Sequence, residues 1–93
     1  MLDEFEKHLR RENLSNNTIA AYLFTVRMYE QMAGDFNKQN LLAFKGYLME
    51  TYKPKTVNLR IQAINKYLEF IKKDKLRLSS VKIQQKNFLE NVI

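Results

Sequence analysis

Apolar residues recur along the chain at spacings of three and four, and four stretches hold that pattern long enough to predict helices. Over residues 2–12, Leu2, Phe5 and Leu9 fall on one stripe and predict a short first helix. Leu14-Ser15-Asn16-Asn17 then breaks the run and offers Ser15 as the N-cap of a second helix over 16–33. Ile19, Tyr22, Leu23, Val26 and Tyr29 line one side of it, while Ala21, Phe24, Met28 and Met32 project from the other. A helix apolar around most of its girth is normally buried between neighbours, so this one is expected at the centre. Gly34-Asp35 ends it, because glycine accepts the left-handed conformation that closes many helices.

Asn37 caps a third predicted helix over 38–52, with Leu41, Phe44 and Leu48 as its stripe and Tyr47 and Tyr52 alongside. Lys53-Pro54-Lys55 interrupts it, since proline lacks an amide donor and restricts the residue before it. Proline suits a first helical turn, and a fourth helix is predicted over 54–73 with Val57, Ile61, Ile64, Leu68 and Ile71 inward. At 100° per residue, Lys55, Gln62, Lys66 and Lys73 fall within about 40° of the opposite meridian. Beyond Leu76-Arg77-Leu78, residues 79–86 show no helical period and predict an extended linker. With two glycines, one proline and no strand-like alternation, the fold class is all-α: a compact bundle of four main helices with a C-terminal linker or short extra helix. Residues 1–78 are expected to form the helical domain, and 79–93 a linker and the start of a further domain. The apolar residues Phe88, Leu89, Val92 and Ile93 are expected to pack on that domain or on a second copy of the chain.

Composition narrows the function. There are no cysteines and a single histidine, His8, so thiolate metal sites, disulfides and a zinc centre are excluded and no metal or other cofactor is expected. No stretch approaches the ~20 apolar residues of a membrane span, and the acidic start Met1-Leu2-Asp3-Glu4 is unlike an export signal, so the expected location is the cytoplasm, away from membranes. Charge is uneven. Residues 1–53 carry seven Lys/Arg and seven Asp/Glu, whereas residues 54–86 carry nine Lys/Arg against Glu69 and Asp74. A basic second half is the footprint of a polyanionic partner, though solvated helices are often basic too.

Catalytic patterns are missing. His8 lies in a charged, surface-facing first helix with no nucleophile in register, Gly34 and Gly46 are isolated rather than part of a phosphate loop, and Asp3, Glu4 and Glu6 complement a helix start. No catalytic residue and no small-molecule substrate are expected.

Two segments carry a family resemblance. Leu14-Ser15-Asn16-Asn17-Thr18-Ile19-Ala20-Ala21-Tyr22, with Val26 and Tyr29 after it, and Lys53-Pro54-Lys55-Thr56-Val57-Asn58-Leu59-Arg60-Ile61-Gln62-Ala63-Ile64, with Tyr67 and Phe70, resemble the openings of the second and fourth helices in the core-binding domains of tyrosine recombinases, the phage integrase family. Phe5, Leu9 and the stretch Asn37 to Leu48 match in kind and spacing, so the likeness spans about residues 2–76. It implies a SAM-like helical domain that forms one half of a clamp around double-stranded DNA in integration and recombination, with a catalytic domain downstream and other recombinase protomers as partners. It further implies DNA contacts from Asn16, Asn17 and Thr18 at one helix start and from Lys55, Thr56, Asn58, Arg60, Gln62 and Lys66 on the other helix. The nucleophilic tyrosine of the family would lie downstream, leaving Tyr22, Tyr29, Tyr47, Tyr52 and Tyr67 to packing. Family members often carry arginine or lysine where this chain has Leu23, Phe24, Leu59 and Asn65, so phosphate positioning is expected to outweigh base readout.

Plainer roles stay open for the same residues. Ser15 and Thr18 serve as caps, Asn58 as a solvated position, Arg60 as a stem along the core edge, and Lys72, Lys73 and Lys75 as complements to a helix dipole. Two rival classes compete with the recombinase reading: a helical protein-interaction module with a basic face, and a helix-turn-helix regulator, which the absence of the usual three- to four-residue turn disfavours.

Overall fold

Ser15 and Asn37 start their helices as the pattern predicts. Ser15 sits in extended backbone (φ −66°, ψ 157°) and its Oγ accepts from the Thr18 N–H, while the Asn37 side chain accepts from the Asn40 N–H. In the computed structural model, which describes residues 2–82, the elements are α1 (Leu2–Arg11), α2 (Asn16–Met32), α3 (Lys38–Thr51) and α4 (Pro54–Phe70), followed by a 3-10 turn at Asp74–Leu76. The fold is therefore an all-α bundle, with no strand among the described residues. The apolar tail from Phe88 to Ile93 lies outside them.

Two helices close on a left-handed residue other than glycine. After α1, the Leu14 N–H reaches the Leu9 carbonyl and the Asn13 N–H reaches Arg10, with Asn13 left-handed at φ 63°. After α4 the same pair of bonds recurs, Lys73 to Leu68 at 2.7 Å and Lys72 to Glu69 at 3.2 Å, with Lys72 at φ 66°. This Schellman closure stops α4 at Phe70, short of the expected residue 73, and removes Lys73 from the outward stripe of the helix. The early stop turns the chain back over the bundle, where Leu78 becomes buried.

A left-handed lysine is strained, because its Cβ crowds the following carbonyl. Lys72 is exposed and loses little by truncation. Lys72→Gly is therefore expected to stabilise the domain by roughly 0.5–1 kcal/mol, read as a higher urea midpoint. A lower midpoint would show that the lysine side chain contributes more than its strain costs.

The core joins Phe5 and Leu9 of α1, Ile19, Leu23, Val26 and Tyr29 of α2, Leu41, Phe44 and Leu48 of α3, and Val57, Ile61, Ile64, Tyr67 and Leu68 of α4. α4, not α2, is the hub. It packs on α2, α3 and the 3-10 turn, and its Tyr67 meets Phe5 of α1 edge-on at 4.9 Å. The sequence expectation of a central α2 is thus corrected: Phe24 and Met32, on its second apolar side, are 54% and 49% exposed. Tyr29, fully buried, stacks on Phe36 and donates its hydroxyl to the Asp35 carbonyl, tying the α2–α3 loop to the core. Burial pushes its phenol above the ordinary tyrosine range.

Candidate nucleic-acid interface

Thr25 of α2 meets Arg60 of α4, and Glu12, just ahead of α2, meets Lys66 further along α4, so the two helices pass in opposite senses. Between them runs an open groove of about 410 Å³ lined by Asn17, Thr18, Ala21, Tyr22 and Thr25 on one side and Thr56, Leu59, Arg60 and Gln62 on the other. Five of the nine residues expected at a DNA contact, Asn17, Thr18, Thr56, Arg60 and Gln62, line this one groove.

The start of α2 is well braced. Ser15 Oγ donates to Thr18 Oγ1 at 2.9 Å, which leaves the Thr18 hydroxyl its own hydrogen to donate. Asn16 Oδ1 accepts from Arg10 Nη1 at 3.1 Å, and the same guanidinium holds Glu6 at 2.7 Å, so Asn16 is anchored to α1 through its oxygen and keeps its amide hydrogens. Asn17 is exposed on the first turn.

The start of α4 is bare. Lys53 occupies the cap position with no side-chain capping bond, and Pro54 has no N–H. The backbone N–H groups of Lys55 and Thr56 therefore have no acceptor within the helix, and the Lys53 and Lys55 side chains are exposed beside them. Unsatisfied amides at the positive end of the helix dipole, flanked by two ammonium groups, form a surface complementary to phosphate.

Arg60 is held rather than free. Its guanidinium lies 5.0 Å from the Phe24 ring centre and 5.4 Å from that of Tyr52, and its Nη1 donates to Thr25 Oγ1 at 3.1 Å. Thr25, the one buried polar residue among those described, donates in turn to the Ala21 carbonyl. Arg60 Nε is buried with no acceptor. The two rings and the Thr25 bond hold the guanidinium at the groove, so that any of its N–H groups that reach solvent can donate from a fixed place.

Residues 2–75, from the start of α1 into the 3-10 turn, match the family model described as phage integrase, N-terminal SAM-like domain. The chain belongs to this family. Its relatives include the tyrosine recombinases XerA of Thermococcus kodakarensis and Thermococcus onnurineus, each 35% identical over 71 residues. Those residues are 75% of this chain and 25% of each relative, so the chain corresponds to about a quarter of the recombinases it matches. No solved structure matches it significantly.

Within the SAM-like domain, two of the expected contact residues, Lys66 and Asn58, are engaged away from the groove. Lys66 lies on the outward stripe, but its ammonium is paired with Glu12 and lies 3.8 Å from Glu69, with only 23% of the side chain exposed. His8 Nε2 approaches the other Glu12 oxygen at 3.1 Å, with its ring tilted over Phe70, so His8 is half-buried rather than a free surface residue. The Lys66 hydrogen bond holds the Glu12 carboxyl below the ordinary carboxylate range, and Glu12 raises Lys66 in return. The pair is thus complete at neutral pH and is lost as acid protonates Glu12 or strong base deprotonates Lys66. Asn58 is turned away from the groove and binds the Val81 backbone. Lys55 remains exposed.

Three site features went unread in the sequence: the exposed Lys53, the Thr25 hydroxyl, and the rings of Phe24 and Tyr52. The signal for Thr25 was present, since a threonine directly preceding Val26 on the inward side of α2 needs a polar partner once buried. Among the described residues, no group of His, Asp and Glu could hold a metal ion, and no helix is long and apolar enough to cross a membrane.

Proposed function

We propose that this SAM-like domain binds duplex DNA through the α2–α4 groove and the two helix starts beside it, as the non-catalytic clamp half of a tyrosine recombinase. The observation that carries the reading is the convergence on one groove of Asn17, Thr18, Thr56, Gln62 and a ring-held Arg60, with Lys53, Lys55 and bare amides at the start of the same α4. Polar donors, a fixed guanidinium and unpaired lysines on one face are what a phosphate backbone requires. Strand cleavage and rejoining would belong to a downstream catalytic domain, and other protomers would assemble on the same DNA.

The isolated domain should bind nonspecific duplex with a dissociation constant on the order of 10⁻⁴–10⁻⁶ M at physiological salt, weakening steeply as salt rises. The ion pairing separates the lysines. Lys55→Ala should lower the slope of log affinity against log salt by about one, while Lys66→Ala should leave it nearly unchanged, because Glu12 already neutralises that ammonium. Glu12→Gln should act in the opposite direction, releasing Lys66 and steepening the slope. Equal losses from the two alanine variants would show that Lys66 leaves Glu12 for phosphate.

A protein-interaction role has its own support in α3, where Leu42 and Met49 are 53% and 54% exposed outside the groove. Undetectable DNA binding at low salt would leave that reading standing and remove the first.

A further inference from the structure

Beyond the 3-10 turn, residues 77–82 run extended across the bundle, and the side chains that hold them are two asparagines of α4. Asn65 Nδ2 donates to the Leu78 carbonyl at 2.9 Å while its Oδ1 accepts from the Leu78 N–H at 2.8 Å. Asn58 repeats the arrangement on Val81, donating to its carbonyl at 3.0 Å and accepting from its N–H at 2.7 Å. Each side-chain amide thus behaves like a peptide group of a neighbouring strand, pairing with both polar atoms of one residue.

The spacings agree. Seven residues of helix rise about 10.5 Å, and three residues of extended chain advance about 10 Å. Asn65 meets Leu78 and Asn58 meets Val81, so the segment runs antiparallel to α4, and a slip of one residue would break both pairs of bonds. The burial of the segment fits a repeat of three, as in a polyproline-II-like extended chain: Leu78 is buried and Val81 packs on the core, while Ser79 and Ser80 between them are exposed. From the far side, Lys45 of α3 donates to Ser79 Oγ at 3.1 Å. Asparagine is a poor choice for a helix interior, because its side chain competes for backbone hydrogen bonds. Two of them seven residues apart at the edge of an apolar stripe indicate a role other than helix formation.

We propose that Asn58 and Asn65 form a backbone-reading clasp on α4: a binding site for extended polypeptide, filled in cis by residues 78–81, that fixes the direction in which the chain leaves the helical domain. All four asparagine bonds go to main-chain atoms, so the site selects an extended conformation and register rather than side chains, apart from the pockets for Leu78 and Val81. The held segment, residues 78–81, lies beyond the region matched by the family model, which ends at residue 75, whereas Asn58 and Asn65 lie within it. The clasp does not depend on the DNA reading. It makes α4 a shared support, with Asn58 and Asn65 holding the exit segment and the neighbouring Gln62 lining the groove.

Residue-resolved amide exchange by NMR on the full chain tests this. The Leu78 and Val81 amides should be protected, equally so at high and low protein concentration. Asn58→Ala should lower protection at Val81 by about tenfold or more with the α4 helix amides unchanged, and Asn65→Ala should do the same at Leu78. Asn58→Asp, which keeps the acceptor and loses the donor, should retain part of the Val81 protection, and Ser80→Ala should change nothing. Should Asn65→Ala loosen the whole bundle, the solvent-edge pair Asn58→Ala and Asn58→Asp decides. Unprotected amides at 78 and 81 in the parent chain, or protection that survives Asn58→Ala, would overturn the clasp. Protection that rises with concentration would seat another copy's segment there and overturn the assignment in cis.

Discussion

Phe5→Ala is expected to destabilise the domain by about 3–5 kcal/mol, against a total of roughly 5–15 kcal/mol for a domain of this kind. The ring is fully buried, edge-on to Tyr67 at 4.9 Å and tilted against Phe70 at 5.4 Å, so its loss empties a cavity at the joint between α1 and α4. α1 has ten residues, too few to persist in water without tertiary support, and Phe5 and Leu9 are its only buried side chains. Undocking α1 also withdraws Glu12 from Lys66 and Arg10 from Asn16, so the damage reaches the start of α2 and the outer stripe of α4. Urea unfolding should show a large fall in midpoint, and amide exchange should show α1 opening before the rest. A loss below about 1 kcal/mol would mean that Tyr67 and Phe70 collapse into the space, contrary to the rigid packing typical of such cores.

The helices of this domain were legible because their signals are local. Ser15, Asn37 and Pro54 each act within one turn of themselves, and the stripes through Phe5, Phe44 and Ile61 need only the helical period. α4 misled at its end, since Lys72 does by tertiary demand what glycine usually does by freedom of backbone. The same limit applied to the site. The 100° wheel placed Lys66 outward correctly, yet its charge is answered by Glu12, 54 residues earlier in the chain. Asn58 reads in the sequence as a DNA contact or a solvated position and Asn65 as a place where the family often carries a basic residue, and only the returning segment at Leu78 and Val81 shows what they hold. Periodicity assigns a residue to a side of its own helix; which neighbour it meets there depends on how the chain comes back.

Arg60 offers the sharpest test of the groove, because its cage distinguishes a directed fork from a mere charge. Arg60→Ala should weaken duplex binding by about tenfold or more, in line with roughly 1–3 kcal/mol for a well-placed two-pronged contact. Arg60→Lys should restore little of that loss. A lysine ammonium is compact and cannot lie flat between Phe24 and Tyr52, nor present several donors at fixed angles as the guanidinium does. Its positive charge persists, so the salt slope of Arg60→Lys should stay close to that of the parent while the affinity drops at every salt concentration. Phe24→Leu opens the cage without touching the charge, and it should fall between parent and Arg60→Ala. Titrations of the four proteins on one duplex over a range of salt provide the comparison. Binding by Arg60→Lys at the parent's strength would reduce Arg60 to one more positive charge, and Phe24 and Tyr52 would then hold it for the sake of the fold rather than for DNA.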